Sequence, residues 1–159
     1  EAEKIAGFIT ENKGLLIIAT HHPYDVLAVR GKNEFGENAK IPVKVEVAPE
    51  WMHNDIVGWE KPYPNKYSVL AVVDESDSVG LKLVNYMVGV YRDLGFPVYE
   101  LMLRGESFID KLLYGSLLFG LASVKTAYKH GVDPLATISI QKYKERVREI
   151  FGVLKPSSR

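Results

Sequence analysis

The chain has 159 residues, 47% of them hydrophobic and 25% charged, which suits one globular domain with at most a small second lobe and excludes disorder. Twenty basic residues balance 20 acidic ones, and without a basic run there is no electrostatic grip on nucleic acid. Cysteine is absent, which excludes disulfides, thiolate metal sites and a cysteine nucleophile and fits a cytoplasmic protein.

Glu1 rather than Met opens the chain, so it is expected to be processed or cut from something longer. Glu1, Glu3 and Glu11 spoil any positive n-region, and no secretory signal is expected. Ile5, Phe8 and Ile9 recur at helical spacing in 2–12. "GLLIIAT" (14–20) reads as a strand covered on both faces. After the turn "HHPYD", Val26, Leu27, Val29 and Phe35 predict a second helix. "VKVEVA" (43–48) alternates with period two, as a half-buried strand does, and "YSVLAVVD" (67–74) is another covered strand.

Ser76, Asp77 and Ser78 offer N-caps to a helix that Gly95 can close. "PVYEL" (97–101) is a further strand. Ser107 and Asp110 form an S-x-x-D capping box for a long apolar helix over 108–130, stopped by His130, Gly131 and Pro134. Within it, Leu112–Val124 carries no charge over 13 residues. A membrane span needs roughly 20, so this stretch reads as a helix buried in a core or a subunit interface. An amphipathic helix over about 138–152 carries Ile140, Tyr143, Val147 and Ile150 on one side. Strand and helix alternate throughout, which predicts an α/β fold: an open, mostly parallel sheet with helices on both faces. Ligands bind such sheets outside the carboxyl ends of the strands. The candidate edges are the turn after Thr20, the stretch 49–60, Asp74–Ser78 and the segment around Arg104–Ser107.

No Walker A, dinucleotide or nucleophile-elbow motif is present. His21, His22 and His53 could share a metal only if the fold gathers them, for they have no ligand spacing. "SDS" (76–78) opens a helix where free N–H groups can hold phosphate, but Asp77 repels an anion and plain capping weighs more. Lys142 and Lys144 read by default as solvated charges. "MHNDI" (52–56) sets imidazole, amide and carboxylate side by side; taken alone it is more often a polar loop than an active site.

"FGENAKIPVKVEVAPEWMHNDIVGWE" (35–60) closely resembles the C-terminal half of the bacterial and archaeal phosphoglucose/phosphomannose isomerase family, and "YGSLLFGLASVKTAYKHGVDPLATISIQKYKERV" (114–147) resembles the end of the same proteins. Those enzymes are built from two SIS (sugar isomerase) domains. The resemblance implies that residues 1–154 form one SIS domain, a flavodoxin-like three-layer sandwich, followed by a tail at 155–159. It implies aldose–ketose isomerisation of glucose 6-phosphate, with mannose 6-phosphate a further candidate substrate, an N-terminal SIS partner domain, a homodimer, and no cofactor or metal. Asp55 falls where the family keeps the glutamate proposed to move the proton between sugar C1 and C2. Lys142 falls on a family active-site lysine, while Asn38, Lys40, His53 and Asn54 match the surrounding pattern as substrate-binding or supporting residues. His53 is also a candidate for assisting ring opening, without support from the resemblance.

The departures matter equally. Aspartate is shorter than glutamate by one C–C bond, ~1.5 Å, and a misplacement of about 1 Å can cost on the order of a hundredfold in rate. The family's ring-opening histidine aligns with Ser78, whose hydroxyl cannot serve as an acid or base near neutral pH. The family's Gly-bearing turn is Thr20-His21-His22 here, and a family threonine is Leu135. The family's phosphate loop belongs to the N-terminal SIS domain. A degenerate domain that binds sugar phosphate or merely dimerises is the alternative reading.

Overall fold

The computed structural model describes residues 1–63 and 66–152. Its four strands, β1 (Leu15–His21), β2 (Val43–Ala48), β3 (Tyr67–Val73) and β4 (Val98–Met102), are all parallel and lie in the order β2-β1-β3-β4. β1 and β3 are apolar along nearly their whole length because both of their faces are covered.

Successive side chains point to opposite faces. Leu16, Ile18, Leu70 and Val72 meet Ile5, Leu27, Phe35 and Phe119 from α1 (Ala2–Glu11), α2 (Asp25–Ala39) and α5 (Phe108–Lys129). Ile17, Ala19 and Val69 meet Trp51, Trp59, Met87 and Tyr91, contributed by the segment 50–59 and α4 (Ser78–Asp93). Helices α2 and α5 approach closely because Gly31 and Gly115 are bare. A Cβ on Gly31 would lie 2.8 Å from the Phe119 ring, and one on Gly115 would lie 2.5 Å from Leu27.

The chain punctuation works as read. Asp77 caps α4 by accepting from the N–H groups of Val79 and Gly80, and Ser107 with Asp110 completes the capping box of α5. Gly131 takes φ +69° just beyond that helix. The last helix, α6 (Ile138–Ile150), stops slightly short of its expected end; the tail expected at 155–159 lies outside the described residues. Among the described residues no helix is long and apolar enough to cross a membrane. The direction of winding reverses between β1 and β3, which makes their carboxyl ends the topological switch point.

Candidate functional site

β2 departs from its simple alternation. Lys44 and Glu46 should face solvent, but the segment 50–59 folds back over them and Glu46 is 1% exposed. A lone carboxylate there would be far too costly to keep ionised. Trp51 Nε1 donates to it at 2.6 Å and Trp59 Nε1 at 3.1 and 3.2 Å, joined by the Tyr91 hydroxyl and the Lys44 ammonium. Burial still dominates and pushes the Glu46 pKa up, against the pull of Lys44 and the two indoles.

Two indoles eight positions apart on one carboxylate shape what lies between them. Glu50–Met52 makes a 3₁₀ turn, and Asp55–Gly58 forms a four-residue helix, α3. Lys44 Nζ lies 5.0 Å from the Trp59 ring centroid and 3.7 Å from Asp55 Oδ1, so one ammonium bridges the buried Glu46 and the half-exposed Asp55. Asp55 borders a cavity of about 200 Å³ with Leu15, Lys44, Trp59, Tyr63 and Tyr67. Leu15 and Tyr67 begin their strands. The stretch 49–60 therefore leaves the carboxyl edge as expected, but carries Asp55 down the flank of β2 towards the amino ends, because both indoles are tied to mid-strand Glu46.

His53 and Asn54 are exposed beside Asp55, Asn54 donating to Glu50. Asn38 lies in the α2–α5 seam, where its amide donates to Glu34 at 3.0 Å and Ser123 at 2.8 Å. Lys40 ends α2 in the left-handed conformation, and its ammonium donates to the carbonyls of Glu37 at 2.5 Å and Pro134 at 3.4 Å. Lys142 is exposed on α6, and among the described residues no ion pair joins it to Asp55. The charged neighbour that the fold gives Asp55 is Lys44, which sequence reasoning passed over. The available signals were a Lys-x-Glu pair inside a strand and two tryptophans flanking "MHNDIVG".

The switch point is filled. Asp74, at the end of β3, accepts from Lys111 Nζ at 2.7 and 2.8 Å, from the Tyr24 hydroxyl at 2.7 Å and from Ser76 Oγ at 2.8 Å. Burial alone would raise its pKa, but Lys111, Tyr24 and Ser76 outweigh it and hold the carboxyl well below the usual range. His21 is buried next to it, with Nδ1 2.8 Å from the His22 carbonyl and Nε2 without a partner. Its ring occupies the space left by Gly80, where a Cβ would come within 2.1 Å of it. His22 instead pairs with Asp25 at 3.0 Å. No group of three or more potential ligands is placed to hold a metal among the described residues.

The four-strand parallel order with both faces covered by helices makes this an SIS-type α/β domain. The family model for the bacterial phospho-glucose isomerase C-terminal SIS domain matches residues 1–147, and the chain belongs to that family. It is 37% identical over 153 residues to a bifunctional phosphoglucose/phosphomannose isomerase of Aeropyrum pernix, covering 94% of this chain and 46% of that protein. A protein of the same name from Aquifex aeolicus is 34% identical over 127 residues, 77% of this chain and 39% of its own length. A solved glucose-6-phosphate isomerase like protein from Thermus thermophilus superposes with a TM-score of 0.69 at 14% identity, covering 91% of this chain and 46% of that one. The chain thus spans less than half the length of these relatives.

Proposed function

We propose that this chain is the C-terminal half of a two-SIS-domain aldose–ketose isomerase that converts glucose 6-phosphate to fructose 6-phosphate, with mannose 6-phosphate as a second substrate. The observation that carries the reading is the Asp55 carboxylate, bordering a cavity, 3.7 Å from the Lys44 ammonium, on a segment pinned at both ends by indoles. After ring opening, Asp55 takes the proton from C2. The C–H electron pair forms the C1–C2 double bond of a cis-enediolate as the C1 carbonyl π pair moves onto O1; the same carboxyl then returns the proton to C1 while O2 becomes the carbonyl oxygen and its hydroxyl proton passes to O1. Charge on O1 and O2 needs a cationic or hydrogen-bonding partner. Lys44 fixes the direction of the carboxylate, Lys142 is assigned to the developing charge by resemblance, and His53 is assigned to ring opening.

A cavity of about 200 Å³ is smaller than the ~300–1,000 Å³ of ordinary small-molecule sites. That supports a site completed by an N-terminal SIS domain, as does the greater length of the relatives. The reading implies residues 1–154 as one SIS domain in a cytoplasmic, homodimeric protein. In a protein that joins this domain to its N-terminal partner, Asp55→Asn should lower kcat by ~10²–10⁴ with the fold intact, whereas Asp55→Glu should keep or raise it. Turnover of Asp55→Asn at the unmodified rate removes Asp55 from the mechanism.

A second reading has its own support. The switch point is occupied by the Asp74–Lys111 pair, and Ser78 stands where the family keeps a histidine. A degenerate domain would bind glucose 6-phosphate, or merely dimerise, without converting it. Calorimetric titration of the same joined protein alongside the kinetic assay separates the readings: heat of binding without turnover favours this one.

A further inference from the structure

β3 is covered on both faces along its whole length, yet its second residue is Ser68, 1% exposed. A buried hydroxyl is costly unless something pairs with it. Thr20 on β1 solves this by bonding to the Val72 carbonyl, but among the described residues the Ser68 hydroxyl has no such partner. It lines a cavity of about 420 Å³ at the amino ends of β1 and β3, where α1 and α5 end and α2 leads into β2. His130 lines the same cavity, and its Nε2 is buried without a partner. So does Lys13, whose ammonium makes no ion pair or hydrogen bond among the described residues. Burial, and after it the Lys13 ammonium, push the His130 pKa down, so ring and ammonium are neighbours.

We propose that this cavity binds a small oxyanion, the phosphate group of a phosphomonoester or free phosphate, through Lys13, His130 and the Ser68 hydroxyl. The volume falls within the ~300–1,000 Å³ of small-molecule sites, and no carboxylate is among the described residues that line it. A phosphate carries three strong acceptor oxygens and about −1.5 to −2 charge, which matches three donors better than a carboxylate does. The other lysines of the wall are already engaged, Lys40 with the carbonyls of Glu37 and Pro134 and Lys129 with Glu3 at 2.7 Å. Helix ends disfavour anions through their open carbonyls, but here they are capped: Phe8 by the Asn12 side chain, Glu37 by Lys40, Thr126 and Ala127 by the His130 N–H. The surface left facing the cavity is positive in a chain of zero net charge. Tyr67 and Ser68 are successive residues of β3 and point to opposite faces, so this cavity lies across the sheet from the one that Asp55 borders. The proposal does not depend on the isomerase reading.

Nuclear magnetic resonance of the 159-residue chain tests it, with the four histidine rings as reporters. Inorganic phosphate, added at constant pH and ionic strength, should shift the His130 ring signals saturably with a Kd of about 1 mM. The exposed rings of His22 and His53 should stay unchanged. Lys13→Met and Ser68→Ala should each raise that Kd about tenfold, whereas Lys66→Met, which alters the adjoining cavity, should not. Glucose 6-phosphate is then titrated into Asp55→Asn, where binding at Asp55 is disabled. The same His130 shift there means that the site takes the ester, and saturation by phosphate alone means that it takes the free ion; both support the proposal. No saturable shift up to about 20 mM phosphate, equal shifts at His22 and His53, or an unchanged Kd in both Lys13→Met and Ser68→Ala overturns it and leaves the isomerase reading untouched.

Discussion

Glu46 and Asp74 are both carboxylates buried beside a lysine, one on the flank of β2 and the other at the switch point, yet their titration is driven in opposite directions. Asp74 has Lys111 to itself at 2.7 Å, and the two side chains are 7% and 8% exposed, so the attraction is poorly screened. Tyr24 and Ser76 add donors, and together these override burial. Glu46 likewise has three neutral donors and one ammonium, but that ammonium sits on a side chain that is 41% exposed and shared with Asp55. There burial wins. The number of hydrogen bonds does not decide the outcome; the weight of burial against the pull of the donors and the single cation does.

The largest expected effect comes from breaking the exclusive pair. Lys111→Met strands Asp74 in the interior, and removing one partner of a buried ion pair costs about 3–5 kcal/mol. Chemical denaturation of the variant should show that loss, and Lys111→Met combined with Asp74→Leu should recover part of it. A loss of less than about 1 kcal/mol would mean that the pair is solvated and the contrast with Glu46 false.

Trp59→Phe sharpens the other side at smaller cost. The ring keeps its edge-to-face packing against Tyr67 and Phe96, while Glu46 loses one indole donor and keeps Trp51, Tyr91 and Lys44. The expected destabilisation is about 1–3 kcal/mol. The local signature matters more: amide hydrogen exchange over Asp55–Trp59 should quicken, because one of the two pins of that segment is gone. Lys111→Met at matched stability should leave those amides unchanged. Equal quickening in both variants would show that the two clusters are not separate.

These two clusters are also where the sequence was hardest to read. Elements were legible wherever the deciding interaction is local: the Asp77 cap, the Ser107–Asp110 box and the covered apolar runs of β1 and β3 each lie within a few residues. The SIS fold was legible through motifs spread along the chain. Lys111 and Asp74 are 37 positions apart, and no period or spacing announces their meeting. In "VKVEVA" the alternation is present, but its meaning is inverted, because the face that period two assigns to water is roofed by Trp51 and Trp59. The Asp55 corner is proposed from resemblance alone, and its ion-pair contact with Lys44 is set by that same roof.

The smallest effect is the most diagnostic, because its sign depends on pH. Asp74, depressed in the fold, contributes stability that is present above its unfolded value of 3.8 and is lost as pH falls through its folded value. Glu46, raised in the fold, contributes stability that is complete below 4.5 and is lost as pH rises through its folded value. Glu46→Gln removes the second slope and spares the first. Near pH 4.5 the variant should be level with the unmodified protein or weaker by about 1 kcal/mol, since an amide oxygen accepts fewer donors than a carboxylate. With rising pH the difference should move in the variant's favour, by about 1.4 kcal/mol for each unit by which the folded value exceeds 4.5. Thermal unfolding of both proteins from pH 3 to 8 measures this. A difference that stays flat above pH 4.5 would show that Lys44 stabilises the Glu46 carboxylate as fully as Lys111 does that of Asp74, and that burial beneath the two indoles is not what separates the two sites.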